Sequence, residues 1–442
     1  MRFKVFKNTV LLFVVVAISC AGKGGSEKLE VGSEKTEDTS TALSVTEKND
    51  NKKIIVGANR TEVYLPLLEG KRVGVVANQT SVIFKDSINS TLKINPNFVN
   101  EGGNYPVRAL MNQHLVDSLL ALNLDIKKVF SPEHGFRGTA DAGENVKDGV
   151  DVKTQLPIFS LHGKHKKPTA EQLEDLDIMI FDIQDVGVRF YTYISTLHYV
   201  MEACAENNVK LLILDRPNPN GNYVDGPTLE KEHSSFLGMH TIPLVHGMTI
   251  GEYAQMINGE GWLKDNAKCD ITVVEMEHYN HENTYSLPIR PSPNLPNDQS
   301  ITLYPSLGLF EGTNINAGRG TEFQFQRYGA PFLDTSHYTF IYTPQPNFGS
   351  KYPKHKDVLC YGEDLSKIKA ERRFTLKYVI DAYNNATDKS KVFNTANFTK
   401  HAGTEKLQEQ IESGMSEEAI RATWNDDLEA FKAIRAKYLI YD

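Results

Sequence analysis

Cysteine is scarce in this sequence. Four cysteines occur in 442 residues, and the three that lie beyond the N-terminal segment, Cys204, Cys269 and Cys360, are far apart and have no CxxC spacing. The spacing of these three cysteines does not match a zinc-binding motif, and their odd number argues against a dense disulfide framework. We therefore expect three buried thiols with a structural role.

An excess of positive charge and a dinucleotide-binding motif are also missing. The formal net charge is −8, whereas proteins that bind nucleic acid normally present a basic face, so nucleic acid is not expected as a partner. None of the apolar runs described below is followed by GxGxxG, so nothing in the sequence implies NAD. The remaining composition, with 40% hydrophobic and 24% charged residues, is typical of a soluble globular protein, and the length favours two domains.

The N-terminal apolar run is too short to cross a bilayer. It covers Val10–Ile18 and follows the basic residues Arg2, Lys4 and Lys7. This arrangement suits the core of a signal peptide rather than a membrane-spanning helix. The sequence therefore predicts that the protein is exported.

The residues after this run indicate a lipid anchor. Ser19-Cys20 resembles a bacterial lipoprotein processing site, in which the cysteine becomes the lipidated first residue. Leucine is commonest where this chain has Ala17, so plain cleavage of a signal peptide is the alternative. Residues 21–53 are mostly Gly, Ser, Thr, Glu and Lys, and such a composition cannot offset the entropy lost on folding. We expect a signal peptide over residues 1–20, a disordered tether over 21–53, and a periplasmic or outer-membrane lipoprotein held to the membrane only through Cys20.

Four apolar runs each end in a polar loop and predict buried strands. These runs are Arg72–Ala77, Val129–Phe130, Ile178–Phe181 and Leu211–Leu214. Amphipathic patterns at Gln113–Ala121 and Ile194–Asn207 predict helices among them. Strands that alternate with helices form parallel βαβ units, whose ligands bind beyond the carboxyl ends of the strands. The predicted fold class is therefore α/β, with the four polar loops at the ligand-binding edge.

A proline-rich segment marks the predicted domain boundary. The segment Leu287–Pro296 follows a predicted strand at Ile271–Glu275, and a helix cannot continue through so many prolines. Strand and helix signals are mixed in the second half of the chain. We therefore predict a parallel-sheet domain over residues 54–287 and a smaller α+β domain over 288–442.

Glu133 is the first candidate for acid–base chemistry. It lies in the motif SPEHG directly after a predicted buried strand, so its carboxyl should be half-desolvated at the mouth of the sheet. Such a position favours the protonated form that a general acid needs. A helix cap or an ion pair with Arg137 would explain the same residue equally well. Glu144 could supply the second carboxylate that glycoside hydrolysis requires, although most loop glutamates lie on the surface.

The histidines near these loops do not form a metal-binding pattern. His134, His162 and His246 show neither HxH nor HxxxH spacing, so we expect no metal site. His246 precedes a helix that Thr249 is predicted to cap, with Glu252 completing a capping box. His246 could therefore contact a sugar or simply stabilise this turn.

The loop after the third strand combines acidic, amide, guanidinium and aromatic groups. Asp182, Gln184, Arg189 and Tyr191 could together hydrogen-bond sugar hydroxyls and stack beneath a pyranose ring. The tyrosines could instead pack in the core, with Arg189 in a structural salt bridge. Asp182 and Asp185 could bind Mg²⁺, but no glycine-rich phosphate cradle accompanies them.

Two further loops contain candidate substrate contacts. The first follows the fourth strand and is stiffened by prolines, whereas the second lies in the C-terminal half and contains glycines that would let the backbone approach a ligand. Each loop could equally be a purely structural turn. The candidate residues in these loops are Asp215, Arg216, Asn220, Glu311, Asn314 and Arg319.

Six motifs in a fixed order resemble one known family. They are "FSPEHGFRGTADAGE", "FDIQDVGVRFYTY", "LDRPNPNG…VDGP", "PLVHGMTIGEYA", "PSPNLP…LYPSLGLFEGT" and "GRGT…FQ.YGAP". Over Val56 to Asp442 the chain resembles the bacterial exo-β-N-acetylmuramidase family, formerly a domain of unknown function. Several long ordered motifs are far more specific than one short pattern.

This resemblance implies both a fold and a reaction. The expected fold has a Rossmann-like N-terminal domain that carries the active site and a smaller C-terminal domain that closes over it. The expected enzyme is an exo-acting glycoside hydrolase that releases N-acetylmuramic acid from the non-reducing ends of peptidoglycan fragments, with muramyl saccharides as substrates and no cofactor. On this chain, Glu133 becomes the candidate catalytic acid, with His134 and Glu144 beside it. Because N-acetylmuramic acid carries a lactyl carboxylate, Arg189 or Arg319 is expected to bind it.

Two other functions stay open from the sequence. A non-catalytic lipoprotein that binds cell-wall sugars would hold a ligand with the same loops without cleaving it. A metal-dependent hydrolase would use Asp182 and Asp185 and would lose activity with EDTA.

Overall fold

A mostly parallel sheet is the central element of the protein. The computed structural model describes residues 52–84, 113–138 and 148–442. Within these residues the main sheet has seven strands in the order β5-β6-β4-β1-β7-β8-β9. Strand β5 is antiparallel to β6, and the other neighbours are parallel. The strands are β1 (Val73–Ala77), β2 (Val82–Ile83), β3 (Gln113–His114), β4 (Ile126–Ser131), β5 (Gly149–Val150), β6 (Pro157–Ser160), β7 (Ile178–Asp182), β8 (Lys210–Leu214), β9 (Ile271–Val274), β10 (Arg327–Ala330), β11 (Phe340–Tyr342) and β12 (Cys360–Asp364).

The strand order is that of a Rossmann fold. When the parallel strands are numbered along the chain, their order across the sheet is 3-2-1-4-5-6. The order reverses between β1 and β7, and in such sheets the ligand binds beyond the carboxyl ends of the strands near this reversal. The structure confirms the predicted α/β class and all five predicted strands, and it adds β5 and β6, which the sequence pattern did not indicate.

Alternate residues of the central strands face opposite sides of the sheet. In β7, Met179 and Phe181 pack into one hydrophobic cluster, whereas Ile178 and Ile180 pack into the other. All of these residues are buried. A sheet covered on both faces explains why the strands appear as continuous apolar runs in the sequence.

Helices cover both faces of the sheet and form much of the C-terminal half. Helix α4 packs against α5 on one face, and helices α1 and α2 contribute buried residues to the cluster on the other face. Helix α5 begins with the predicted capping box of Thr249 and Glu252. The helices are α1 (Thr61–Leu68), α2 (Leu115–Ala121), α3 (Ala170–Leu173), α4 (Tyr193–Asn207), α5 (Ile250–Gly259), α6 (Asp298–Leu307), α7 (Lys377–Asn384), α8 (Thr395–Ala402), α9 (Lys406–Glu412), α10 (Glu417–Ala422) and α11 (Asn425–Arg435).

The C-terminal half combines a small antiparallel sheet with helices. Strand β12 lies between β10 and β11, and helix α8 packs against a short 3-10 helix at Gly308–Gly312. The larger hydrophobic cluster of the Rossmann part continues through Leu303 and Phe310 to Phe398. Residues Lys52–Asp442 therefore form one compact unit with a shared core.

Two sequence predictions concern cysteines and the N-terminus. Cys204, Cys269 and Cys360 are buried and free, as expected. In the described part of the chain, no helix is both long and apolar enough to cross a membrane. The predicted signal peptide and Cys20 lie outside the described residues, as does almost all of the tether.

Candidate active site

A cavity of about 770 Å³ lies at the predicted ligand-binding edge of the sheet. Glu133, two residues beyond the end of β4, contributes to its wall. The C-terminal half contributes the other ionisable groups of the described lining, Glu311, Arg319, Lys351, Lys354 and His401. A smaller recess of about 60 Å³ shares Glu133 and Arg319 with this cavity. Acidic and cationic groups from distant parts of the sequence are thus brought together around one cavity.

The Glu133 loop makes a tight turn immediately after the buried strand. His134 and Gly135 have φ values of 73° and 77°, and the Gly135 N–H donates to the Pro132 carbonyl at 3.2 Å. Positive φ is unusual for a non-glycine residue such as His134 and is frequent near functional sites. The turn leaves Glu133 half-buried at the cavity, as the sequence predicted, and buries His134 against the small recess.

The base of this loop is held by a separate ion-pair network. Arg137 donates to Asp117 at 2.9 Å and to Asp151 at 2.8 Å. The loop reaches Gly138 without starting a helix. A helix cap is therefore not needed to explain Glu133, and Arg137 has its own carboxylate partners.

Three tyrosines form an aromatic wall beside Glu133. The ring centroids of Tyr191 lie 4.9 Å from Tyr193 and 5.8 Å from Tyr304, and all three rings line the small recess. Burial raises the pKa of the Tyr193 hydroxyl, so the hydroxyl stays protonated at neutral pH. Asn78 donates to the Tyr193 hydroxyl at 3.0 Å, whereas the buried Tyr191 hydroxyl has no hydrogen-bond partner among the described residues.

The backbone is strained between these tyrosines. Thr192 precedes helix α4, lines the cavity and has a φ of 38°. A β-branched residue rarely adopts this left-handed conformation, which costs on the order of 1–3 kcal/mol. The strain turns the chain so that Tyr191 and Tyr193 line the same recess.

Glu311 and Arg319 form a two-point ion pair on the C-terminal side of the cavity. Nε of Arg319 lies 3.1 Å from Oε1 of Glu311, and Nη2 lies 3.1 Å from Oε2. Burial would raise the pKa of Glu311, but the positive charges of Arg319 and Lys354 outweigh it and hold the pKa below its usual value. Glu311 is therefore an ionised carboxylate at neutral pH. Nη1 of Arg319 has no hydrogen-bond partner among the described residues and can still bind an anion.

Lys354 fixes the segment that carries this ion pair. Its ammonium donates to the carbonyls of Phe310 at 2.7 Å and Thr313 at 2.6 Å. The Asn316 amide donates to the carbonyls of Arg319 and Lys354, each at 3.0 Å. These bonds hold Glu311 and Arg319 in place without using either side chain.

The structure places Arg189 away from both cavities. Its side chain is fully buried, and Nη1 donates to the carbonyls of Pro227 and Ile242, while Nη2 donates to those of His401 and Ala402. Burial lowers its pKa to about 9. Both terminal nitrogens are thus used to hold backbone segments together, which leaves Arg319 as the candidate at the cavity.

Three further candidates form buried contacts at the ends of β7 and β8. Arg216 donates to both oxygens of Asp182, at 2.6 and 3.0 Å. Asp215 accepts from the Thr249 hydroxyl at 2.7 Å and from the Tyr441 hydroxyl at 2.8 Å. Neither Asp182, Asp215 nor Arg216 lines the two active-site cavities.

Four more candidates also lie outside the lining of these cavities. Gln184 donates to the Pro217 carbonyl at 2.6 Å and Asn220 to the Val186 carbonyl at 2.9 Å. His246 is fully buried against the ring of Tyr253, and the exposed Asn314 donates to the Lys391 carbonyl. Of the candidates in the described residues, the structure brings together Glu133, His134, Tyr191, Glu311 and Arg319. Glu144 lies outside the described residues.

Several residues of the lining carry no clear functional signal in the sequence. Tyr304 lies in the motif LYPSLGLFEGT but resembles an ordinary core aromatic there, and Lys354 and His401 lie in no recognisable motif. Their role becomes visible only when α8 and the segment around Lys354 fold against the 3-10 helix.

The groups that could hold a metal ion do not coincide with the predicted aspartates. Asp182 faces Arg216, and Asp185 accepts from the Gly187 N–H at 2.7 Å. In the described residues, one group of metal-ligating side chains comes close enough to share an ion, and it consists of Glu230, Glu232 and His233. Glu230 and Glu232 border a separate cavity of about 320 Å³.

Family models match most of the chain. The N-terminal model of exo-β-N-acetylmuramidase NamZ matches residues 103–299, and the C-terminal model matches residues 302–441. Peptidoglycan β-N-acetylmuramidase NamZ of Bacillus subtilis (strain 168) is 39% identical over 399 residues, which cover 86% of this chain and 89% of that protein.

Two solved structures share the fold. A DUF1343 family protein from Bacteroides fragilis NCTC 9343 superposes with a TM-score of 0.76 at 42% identity. A second protein of that family and organism gives a TM-score of 0.69 at 27% identity. Each comparison covers 88% of this chain and 99% of the other chain. From these matches over both halves, this chain belongs to the exo-β-N-acetylmuramidase NamZ family.

Proposed function

We propose that this protein is an exo-acting β-N-acetylmuramidase that releases N-acetylmuramic acid from the non-reducing ends of peptidoglycan fragments. The observation that carries this proposal is the cavity in which Glu133 of the SPEHG motif faces the same space as the Glu311–Arg319 pair. Such a cavity is large enough for a saccharide. The similarity to a peptidoglycan β-N-acetylmuramidase supports this enzyme over a non-catalytic sugar-binding protein.

Glu133 is the proposed general acid. Cleavage of a glycosidic bond requires a proton on the departing oxygen, and the half-buried Glu133 can deliver it from the edge of the sheet. The ionised Glu311 supplies negative charge to the cavity, where the transition state gains positive charge at the anomeric centre. The tyrosine hydroxyls can hydrogen-bond the sugar, but because they are uncharged they do not stabilise that positive charge as Glu311 does.

Arg319 is the proposed partner of the lactyl carboxylate. One edge of its guanidinium is fixed by Glu311, and the remaining Nη1 donors can bind a second carboxylate. N-acetylglucosamine lacks this carboxylate, so Arg319 would favour muramyl over glucosaminyl substrates.

The proposal is tested with the disaccharide of N-acetylmuramic acid and N-acetylglucosamine. Wild-type protein should release both free sugars, as detected by mass spectrometry. Glu133→Gln should keep the fold and lose at least about 10²-fold in kcat, because the departing oxygen no longer receives a proton. Binding of the disaccharide without any product from the wild type would instead identify a sugar-binding protein. Full turnover by Glu133→Gln would refute the role of this residue.

We also propose that the protein is exported and anchored through Cys20. The support is the basic and apolar N-terminal stretch followed by Ser19-Cys20. Peptidoglycan lies outside the cytoplasm, so an anchored enzyme would lie in the same compartment as its substrate.

A further inference from the structure

We propose that His401 is the base that accepts the proton from the water that attacks the anomeric carbon. This inference rests on the proposed glycosidase function and adds a residue from outside the recognised motifs. His401 lies at the C-terminal end of α8 and lines the same cavity as Glu133 and Glu311. Its ring packs beside Phe190, with 5.5 Å between the ring centroids.

The hydrogen bond of His401 fixes which ring nitrogen is basic. Nδ1 lies 2.8 Å from the carbonyl oxygen of Asn397, one helical turn earlier. A carbonyl oxygen only accepts, so Nδ1 must carry the proton, and in the neutral ring Nε2 is the acceptor. In the described part of the chain, no residue hydrogen-bonds Nε2. The imidazole is therefore oriented by its backbone contact while its basic nitrogen remains available.

The charged groups around His401 keep the ring neutral. Burial lowers its pKa, and the positive charges of Lys354 and Arg319 lower it further, whereas the bond to Asn397 and the charge of Glu311 raise it. The lowering effects prevail, so the ring is unprotonated at neutral pH and ready to accept a proton. Glu133 is the remaining acidic group of the cavity lining among the described residues.

The other bases in the described lining are already engaged. Both oxygens of Glu311 face Arg319, so a proton on Glu311 would break a two-point ion pair. Glu133 is needed in its protonated form as the acid. Among the described residues of the lining, His401 is the remaining neutral base. It comes from the C-terminal half of the chain, whereas Glu133 follows strand β4 of the sheet.

The proton balance of the step is simple. The water oxygen forms a bond to the anomeric carbon, and the proton that it loses goes to Nε2 of His401. The bond from the anomeric carbon to the departing oxygen breaks with its electron pair, and that oxygen takes the proton of Glu133. The proton on Nε2 then returns to Glu133 through solvent before the next turnover.

Two substrates with different leaving groups distinguish the loss of the general base from the loss of the general acid. The experiment compares wild type, His401→Asn, Glu133→Gln, Glu144→Gln and the control His165→Asn, which changes an exposed histidine outside the cavity. The asparagine amide can still donate to the Asn397 carbonyl, so the helix keeps its contact. The substrates are the muramyl-glucosamine disaccharide and 4-nitrophenyl N-acetyl-β-muramide, whose leaving group needs little help from an acid. Sodium azide serves as a nucleophile that needs no base.

We expect His401→Asn to lose about 10²- to 10⁴-fold in kcat on both substrates, because water activation is common to both. Glu133→Gln should lose much less on the nitrophenyl substrate than on the disaccharide. Azide should restore nitrophenol release by His401→Asn and yield N-acetylmuramyl azide, which a merely structural role would not produce. The control should match wild type.

Three results would overturn the assignment of His401. The first is a kcat of His401→Asn within about tenfold of that of wild type. The second is a folded His401→Asn variant whose lost activity azide does not restore. The third is that azide restores the activity of Glu144→Gln instead of that of His401→Asn. Circular dichroism checks the fold, and His401→Gln replaces His401→Asn if the latter unfolds. If wild type itself releases no N-acetylmuramic acid, the proposed function fails, whereas these three results leave that function intact.

Discussion

The buried carboxyl of Asp185 gives a quantitative prediction about stability and pH. Asp185 is 5% exposed and lies three residues beyond the end of β7. Its Oδ2 accepts from the Gly187 N–H at 2.7 Å, and Oδ1 has no partner among the described residues. Burial raises its pKa from 3.8 to about 7, an effect that the backbone hydrogen bonds only partly oppose. His246 lies 3.8 Å away and stays neutral, because burial lowers its pKa to about 3.

The sign of the effect follows from proton binding. Between its ordinary pKa of 3.8 and its folded pKa of about 7, Asp185 holds a proton in the folded chain and loses it in the unfolded chain. This residue therefore reduces the free energy of unfolding progressively as the pH rises through that window. One pH unit in this range corresponds to ~1.4 kcal/mol. Because Asp185 is already half titrated at pH 7, the loss between pH 5 and pH 7 is about 2 kcal/mol.

The test replaces Asp185 by asparagine and follows urea unfolding from pH 5 to pH 8. The amide oxygen can still accept from Gly187, while the amide nitrogen lacks an acceptor at a cost of about 1–3 kcal/mol that does not depend on pH. The difference in free energy of unfolding, variant minus wild type, should therefore rise by up to about 3 kcal/mol towards pH 8. Asp270→Asn, which changes an exposed carboxyl, should run parallel to wild type.

Parallel pH dependence of Asp185→Asn and wild type would refute this reasoning. It would mean that the folded chain does not hold a proton at Asp185, and that water or a neighbouring group stabilises the ionised carboxylate.

Three further predictions concern the cavity, the backbone contacts of Arg189 and the N-terminus. Arg319→Met should raise KM for the muramyl disaccharide at least about tenfold, because a charged hydrogen bond contributes about 1.5–3 kcal/mol. The same variant should bind N-acetylglucosamine with the affinity of the wild type, as measured by calorimetry. Arg189→Met leaves four backbone carbonyls without their donor. It should therefore lower the free energy of unfolding, measured in urea, by about 3 kcal/mol or more. An unchanged unfolding midpoint would contradict this prediction. Cys20→Ala should abolish labelling by radioactive palmitate and release the protein from the membrane fraction, whereas continued labelling would exclude this anchor.

The sequence predicted the sheet well because the strands are buried on both faces. Continuous apolar runs mark such strands directly, and the polar loops that follow them mark the ligand-binding edge. The beginning of β4 was missed because it contains Lys127 and Lys128. Lys128 is buried along its length while its ammonium pairs with Asp175, so a charged residue occupies a strand position that periodicity alone excludes.

The candidate site was only partly predictable, as its two arginines illustrate. Arg189 and Arg319 both follow glycine-containing turns, and the sequence offered either as the partner of a carboxylate. Arg189 meets the carbonyls of His401 and Ala402, more than 200 residues away, whereas Arg319 meets Glu311 only eight residues away. The packing of distant segments decides which of the two guanidinium groups faces the cavity. A local sequence pattern contains no information about this packing.

By itself, the sequence determined the α/β class, the catalytic candidate Glu133 and the family to which the chain belongs. These properties depend on residues close together in the chain: apolar runs, the turn that follows each run, and ordered motifs. The tertiary structure decided that Glu311, Arg319 and His401 share one cavity with Glu133, and that Arg189 serves the backbone instead. That outcome depends on how the C-terminal half packs against the edge of the sheet, because burial and hydrogen bonding there determine which charged groups remain available to a sugar.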